Sequence, residues 1–358
     1  MIKDILFPKE MLANFRLVGD NQADKVVKAL FDLGYNPLSN EDYRKYRLNG
    51  QAMPESFPEV LSDYFEQIKR TPLDKEQLKK GAEFFLQFAQ PIILCLGLYS
   101  LPYCYAAAKG AKVLVSSKRI LDNPGKRLQE TGDFVLDVHA PDAFEDPGKA
   151  FISIAKVRLM HAAIRYHLLQ SKKWDMEDGL PINQMDMAGT NYSFSLIVIR
   201  GLRKLGFEIS QSQATIYIQF WNQIGSILGL SQELMPDSTK DAFVLEQKIR
   251  ASEFEYSEEG VALTKALLNY VDAQETPFPL KGSVISSYLL GEELTKMLGI
   301  KASSQAKNLA LPLKLLNKVQ STLQPSTNSY NALLAEFKKQ KFTTGGGDNF
   351  QFLMALSD

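Results

Sequence analysis

Apolar residues recur every three to four positions along most of this chain, the spacing of helices that bury one face. "NQADKVVKALFDLG" (21–34) predicts a helix closed by Gly34, and "FPEVLSDYFEQIKR" (57–70) predicts an amphipathic one. A third begins at Thr71 as N-cap with Pro72 in the first helical position. A turn at Asp146-Pro147-Gly148 leads into a long helix through "AFISIAKVRLMHAAIRYHLLQ". "NYSFSLIVIRGLRKLG" predicts a single helix running to Gly206, and another runs from near Ser210 to Gly229. Further helices are expected over 238–252, 257–272, 282–298, 302–320 and 328–339. β-Branched runs such as "AKVLVSS" (111–117) are short and isolated, and no hairpin signal occurs. The expected fold class is all-α: one large helical domain over 76–340, an N-terminal helical extension over 1–75, and a glycine-bearing flexible tail over 341–358.

Composition narrows the function. The chain has 358 residues, 45% of them hydrophobic, which is ample for a buried core. A formal net charge of +0 leaves no basic footprint, so nucleic acid is not an expected partner. The two cysteines, Cys95 and Cys104, are expected as buried free thiols, and the first residues lack a secretory pattern, so the expected compartment is cytoplasmic. Residues 84–108 are long and uncharged. They are read as a buried helix pair broken at Pro91 and Pro102 that lines a substrate channel, and no stable membrane span is expected.

Candidate chemistry centres on "KVRLMHAAIRYHLL" (156–169), which holds two of the three histidines. Helical spacing places Arg158, His161 and Arg165 close to one face of a helix that is apolar nearly all round. Buried arginines need anions, and Ala162 and Ala163 leave room beside His161 for a flat ligand. Haem would use all of this: an imidazole for its iron and arginines for its propionates. The plain alternative is a hydrogen-bonded core histidine flanked by structural ion pairs. His161 and His167 are six apart and do not form a zinc pair. His139 sits before "AP" in an expected loop, and Trp221 is read as core.

The "HAAIR" of His161–Arg165 and the "RLQET" of Arg127–Thr131, 34 residues upstream of His161, resemble the haem-dependent oxygenase family of latex-clearing proteins (rubber oxygenases) and MpaB-type oxygenases. "PINQMDMAGTNYSFSLIVIRGLRKLG" and "FWNQIGSILGL" resemble the blocks that follow, so the likeness runs from about 80 to about 300. The resemblance implies a globin-like helical core binding haem b, with His161 as the proximal iron ligand. It also implies Arg165 as a residue that holds the haem or orients the His161 helix, and Arg127 and Thr131 on the distal side or near the propionates; Arg158 is open as a propionate partner or a structural ion pair. One position departs: Glu130 stands where latex-clearing proteins have a lysine that can approach the iron. A distal base and a solvent-facing residue are both open to it. No match is found for those proteins' upstream acid.

The implied activity is oxidation of an apolar, unsaturated small molecule by O2, with Arg127, Glu130 and Thr131 as catalytic candidates. A non-catalytic haem sensor or carrier, or a haem-free protein keeping only the fold, would use the same helix.

Overall fold

The computed structural model describes residues 6–37, 39–116, 119–274, 280–301, 330–331, 333–335 and 337. Among them every regular element is helical, and the one β-bridge joins Ala107 and Phe254 in isolation. The N-terminal helices are α1 (Lys9–Phe15), α2 (Asn21–Asp32), α3 (Glu41–Lys45) and α4 (Glu59–Lys69). Next come α5 (Lys75–Gln87), α6 (Ala89–Cys95), α7 (Leu101–Tyr105), α8 (Ala108–Ser116), α9 (Arg119–Asp122) and α10 (Pro124–His139). The central α11 (Ala150–Gln170) precedes α12 (Gln184–Phe194), α13 (Leu196–Leu205) and α14 (Gln211–Ile227). Helices α15 (Thr239–Glu253), α16 (Glu258–Asp272), α17 (Gly282–Leu290) and α18 (Glu292–Met297) follow.

Local chemistry moves several expected boundaries. Helix α5 starts at Lys75 because the Asp74 carboxylate, rather than Thr71, accepts from Gln77 N at 3.0 Å. The stretch "NPGK" (123–126) starts a helix that periodicity alone did not predict. Asn123 caps Lys126 N at 3.0 Å, Pro124 takes the first helical position, and Arg127 lies within α10. Two expected helices are each divided. Ser195 parts α12 from α13, its hydroxyl donating to Asn191 O at 2.8 Å, and Gly291 at φ 82° parts α17 from α18. The run 111–117 is helical as far as Ser116. The predicted helix over 302–320 and the tail over 341–358 lie outside the described residues. The described part of 328–339 is helical, and Tyr330 donates to Leu136 O at 3.1 Å.

The break in 84–108 falls at Phe88, where α5 and the following run bend by 86°. Pro91 sits inside α6, and Pro102 opens α7 after a π turn over Leu96–Ser100. Leu101 N reaches back to Leu96 O there, so a local π turn directly precedes the proline that lacks its own N–H. No single described helix is long and apolar enough to cross a membrane; this bent pair alone passes by length and composition together.

Helix α11 is buried along much of its length, from Ala150 through Ala162. Helices α2, α4, α10 and α14 pack around it. The N-terminal helices are part of this core: Val26, Val27 and Leu30 of α2 and Leu61, Tyr64 and Phe65 of α4 join the same apolar cluster as Ile152, Ala155 and Leu159 of α11.

Candidate active site

Beside α11 lies a cavity of about 1240 Å3, walled by α7, α8, α10, α12, α14, α15 and α16 as well. Helix α11 gives it Val157, Met160, His161, Ile164, His167 and Leu168, a stripe at three- and four-residue intervals. Helix α10 faces them with Arg127, Leu128, Glu130, Thr131 and Phe134 on the same spacing. Of the run 84–108, only Leu101, Tyr103, Cys104, Tyr105 and Ala107 reach the cavity.

His161 has no hydrogen-bond partner for its buried Nδ1. Burial, followed by the positive charges of Arg165 and Arg127, pushes its pKa down to about 4. The ring is therefore neutral at physiological pH, with a lone pair to offer. A neutral imidazole at the wall of a cavity this large fits a ring-ligated macrocycle, and the volume exceeds the roughly 300–1,000 Å3 that one small ligand usually occupies.

For Arg158 and Arg165 the structure takes the structural one of their two expected roles. At about 100° per residue, positions seven apart nearly coincide, while His161 lies some 40–60° round the helix from both. Both guanidiniums turn from the cavity into the core. Arg158 donates to Asp20 Oδ1 at 2.8 Å, to Gln22 Oε1 at 3.0 Å and to Ile227 O at 3.1 Å. A Cβ at Gly229, which has φ 86°, would collide with Asp20 and Arg158, so only glycine lets the chain pass over this pair. Arg165 donates to Asp24 Oδ1 at 2.9 Å and to Ile182 O at 2.6 Å. Their anions come from α2 and its N-cap, so these residues fix the His161 helix and do not stand free for propionates.

The α10 candidates do converge on the cavity. Arg127 pairs with Glu130 at 2.7 Å, and Glu130 is 6% exposed, so the solvent-facing option for it is excluded. The Thr131 hydroxyl donates to Arg127 O at 3.0 Å, so its proton already has a backbone acceptor. His167 lines the cavity further along α11, edge-on to Phe31 at 4.9 Å, with burial lowering its pKa.

His139 is not in a loop. It ends α10 fully buried, stacked between Phe85 at 4.0 Å and Phe220 at 4.5 Å, outside the cavity lining. Its Nδ1 donates to Val135 O at 2.7 Å, and burial lowers its pKa to about 3. Trp221 is 1% exposed and also touches the cavity. Both thiols are free; Cys95 is buried, and Cys104 lines the cavity against Ser193 Oγ at 3.1 Å. Among the described residues, no three His, Cys, Asp or Glu side chains cluster as a metal site.

Sequence reasoning missed the far wall of the cavity, where Tyr103, Asp186, Glu246 and Glu253 gather from α7, α12 and α15. These residues are dispersed over 151 positions (103 to 253) and form no local motif that could have signalled them.

The geometry gives a helical cavity lined by His161 and His167, and comparison with known proteins gives its type. Residues 82–318 match the family described as ER-bound oxygenase mpaB/B'/Rubber oxygenase, catalytic domain. The rubber oxygenase of Streptomyces sp. (strain K30) is 30% identical over 291 residues, which is 79% of this chain and 71% of that protein. A solved structure of latex clearing protein LCP in the closed state covers 92% of this chain, and 91% of its own chain is matched, with TM-score 0.78 and 27% identity. The protein is an oxygenase, hence an oxidoreductase. It belongs to the MpaB/rubber oxygenase catalytic-domain family.

Proposed function

We propose that the protein is a haem b-dependent oxygenase that uses O2 on an apolar, unsaturated small molecule. The observation that carries this reading is the neutral His161 imidazole, unpartnered at Nδ1 and lining a cavity with room for a macrocycle and a substrate. When bound, haem supplies the binding and activation of O2. His161 would hold the iron, because a ring kept unprotonated to about pH 4 keeps its lone pair available. Arg158 and Arg165 would act through the helix, since their pairing with Asp20 and Asp24 locks α11 against α2.

On α10, Arg127 brings positive charge to the cavity, and its Glu130 partner keeps the guanidinium in place. Glu130 would be the carboxylate that holds or passes a proton at its Oε atoms, in place of the lysine expected from the resemblance. The apolar stripe of Val157, Met160, Ile164 and Leu168 keeps bulk water from the reacting face. The expected test result is a Soret band in the purified, haem-supplied chain that His161→Ala removes. Reductant-dependent oxygen uptake with unsaturated lipids would then separate turnover from mere binding. A wild-type chain without a Soret band after haem supply overturns the reading.

A further inference from the structure

The far wall of the cavity has a chemistry that the reaction above does not use. Glu246 of α15 is 2% exposed and faces the cavity, while the cation that holds it, Arg200 of α13, lies behind it outside the lining. Glu253, two turns further along the same face, is likewise held from behind by Arg16. The same Arg16 is the cation nearest Asp186, at 3.9 Å. Three carboxylates thus stand at the wall against two guanidiniums placed on its outer side. Burial, before any neighbouring charge, pushes the Asp186 carboxyl up to about 6. Two of the cations that line the cavity are engaged with other carboxylates: Lys112 holds Asp178, and Arg250 holds Glu293.

The hydroxyls of the wall sharpen the asymmetry. Tyr103 donates to Glu246, Ser193 to Gly189 O at 2.9 Å, Thr190 to Asp186 O at 2.8 Å and Tyr192 to Leu234 O at 3.1 Å. Each has given its single proton to a protein acceptor, so what these groups have left for the cavity is lone pairs. Carboxylates and spent hydroxyls together make a patch at Tyr103, Asp186, Glu246 and Glu253 in which acceptors outnumber free donors. A carboxylate or phosphate head would meet net repulsion from the three carboxylates there, and a bare hydrocarbon end would leave those acceptors desolvated.

We propose that the substrate has two unlike ends: an unsaturated apolar chain that lies toward His161, and a head group that donates hydrogen bonds, a hydroxyl or a protonated amine, seated on Tyr103, Asp186, Glu246 and Glu253. This rests on the reading that the cavity is the substrate's. It separates the chain's substrate from a plain hydrocarbon and from a fatty acid. The wall takes the head by accepting its protons, and the Arg16 and Arg200 pairs hold the accepting carboxylates in place.

The test is calorimetric titration of the full, haem-supplied chain with four probes of one chain length, all in the same non-ionic detergent: oleyl alcohol, oleylamine, oleate and octadecene. The amine and the alcohol bind most tightly. Oleate binds at least about tenfold more weakly than the amine, the scale of one hydrogen bond to a charged group. Asp186→Asn removes the charge and keeps the shape, and it lowers affinity for the amine while leaving octadecene unchanged. Glu246→Gln acts in the same direction, and the wild-type ranking needs no variant to fold. Oleate binding as tightly as the amine, four equal affinities, or no binding by any probe overturns the proposal. A haem-loaded chain that prefers oleate sinks this inference alone. A chain without a Soret band that still ranks the probes as stated sinks the haem reading alone.

Discussion

Arg127 and Glu130, one turn apart on α10, pair at 2.7 Å within the cavity wall, on the helix packed against the one that carries His161. The pair brings a guanidinium into a mainly apolar space and partners it with a carboxylate on the same helix face. Arg127→Ala is expected to leave the Soret band and lower reductant-dependent oxygen uptake by about 100-fold, the usual cost of one preorganised donor. Unchanged uptake would remove Arg127 from the reaction.

Thr131 should behave differently. Its hydroxyl proton is donated to the Arg127 carbonyl one turn back. Thr131→Val keeps the shape and loses a bond that carries roughly 1 kcal/mol. Oxygen uptake in this variant should stay within about threefold of wild type. A loss as large as that of Arg127→Ala would show that the hydroxyl turns toward the cavity during the reaction.

The buried pair of Arg158 and Asp20 is a stability element. Asp20→Ala leaves the 8% exposed Arg158 without its carboxylate and should cost about 3–5 kcal/mol in urea denaturation. Asp24→Ala should cost a comparable amount: the Asp24 side chain is 35% exposed, but the Arg165 it leaves without its carboxylate is only 2% exposed. A loss below about 1 kcal/mol at Asp24 would mean that solvent around its carboxylate, not the burial of Arg165, sets the cost.

Acid should weaken the haem-free chain partly through His161. Its pKa is 6.5 in the open chain and about 4 in the fold, because burial disfavours the charged ring. The unfolded state therefore takes up the proton first as pH falls. This group's contribution is complete above about 6.5, declines between 6.5 and about 4, and amounts to roughly 3 kcal/mol. His161→Gln should flatten the wild-type loss of stability across that window by a comparable amount. His139→Gln, at a site lowered to about 3, should flatten it too while leaving the Soret band intact. Parallel wild-type and His161→Gln profiles would contradict the neutral buried ring.

Much of the helical frame was legible because caps are local. Ser210 reads as the start of α14, and its side chain and Gln213 do close a capping box. The start of α10 was not legible, because proline serves turns and first helical turns alike, and only the Asn123 cap decides between them. Spacing placed His161 on a helix, the resemblance pointed to Arg127, Glu130 and Thr131 without a helix for them, and the fold brings all four to one cavity. Spacing could not say where Arg158 and Arg165 find their anions. Asp20 lies 138 residues from Arg158, and a 40–60° turn of the helix separates a ligand-facing arginine from a core-facing one. His139 was misplaced for a related reason: the proline two residues on ends the helix after the ring has already entered the aromatic core.

The family match begins at residue 82, and a laboratory trimming the gene to that boundary would discard Asp20 and Asp24. The shortened product would retain two arginines in its interior with their counter-ions deleted. It should be recovered as inclusion bodies, whereas chains starting ahead of Asp20 should stay in solution. The first thirty-odd residues supply the counter-charges of the central helix, and adding α2 back in trans as a peptide is the direct way to see it.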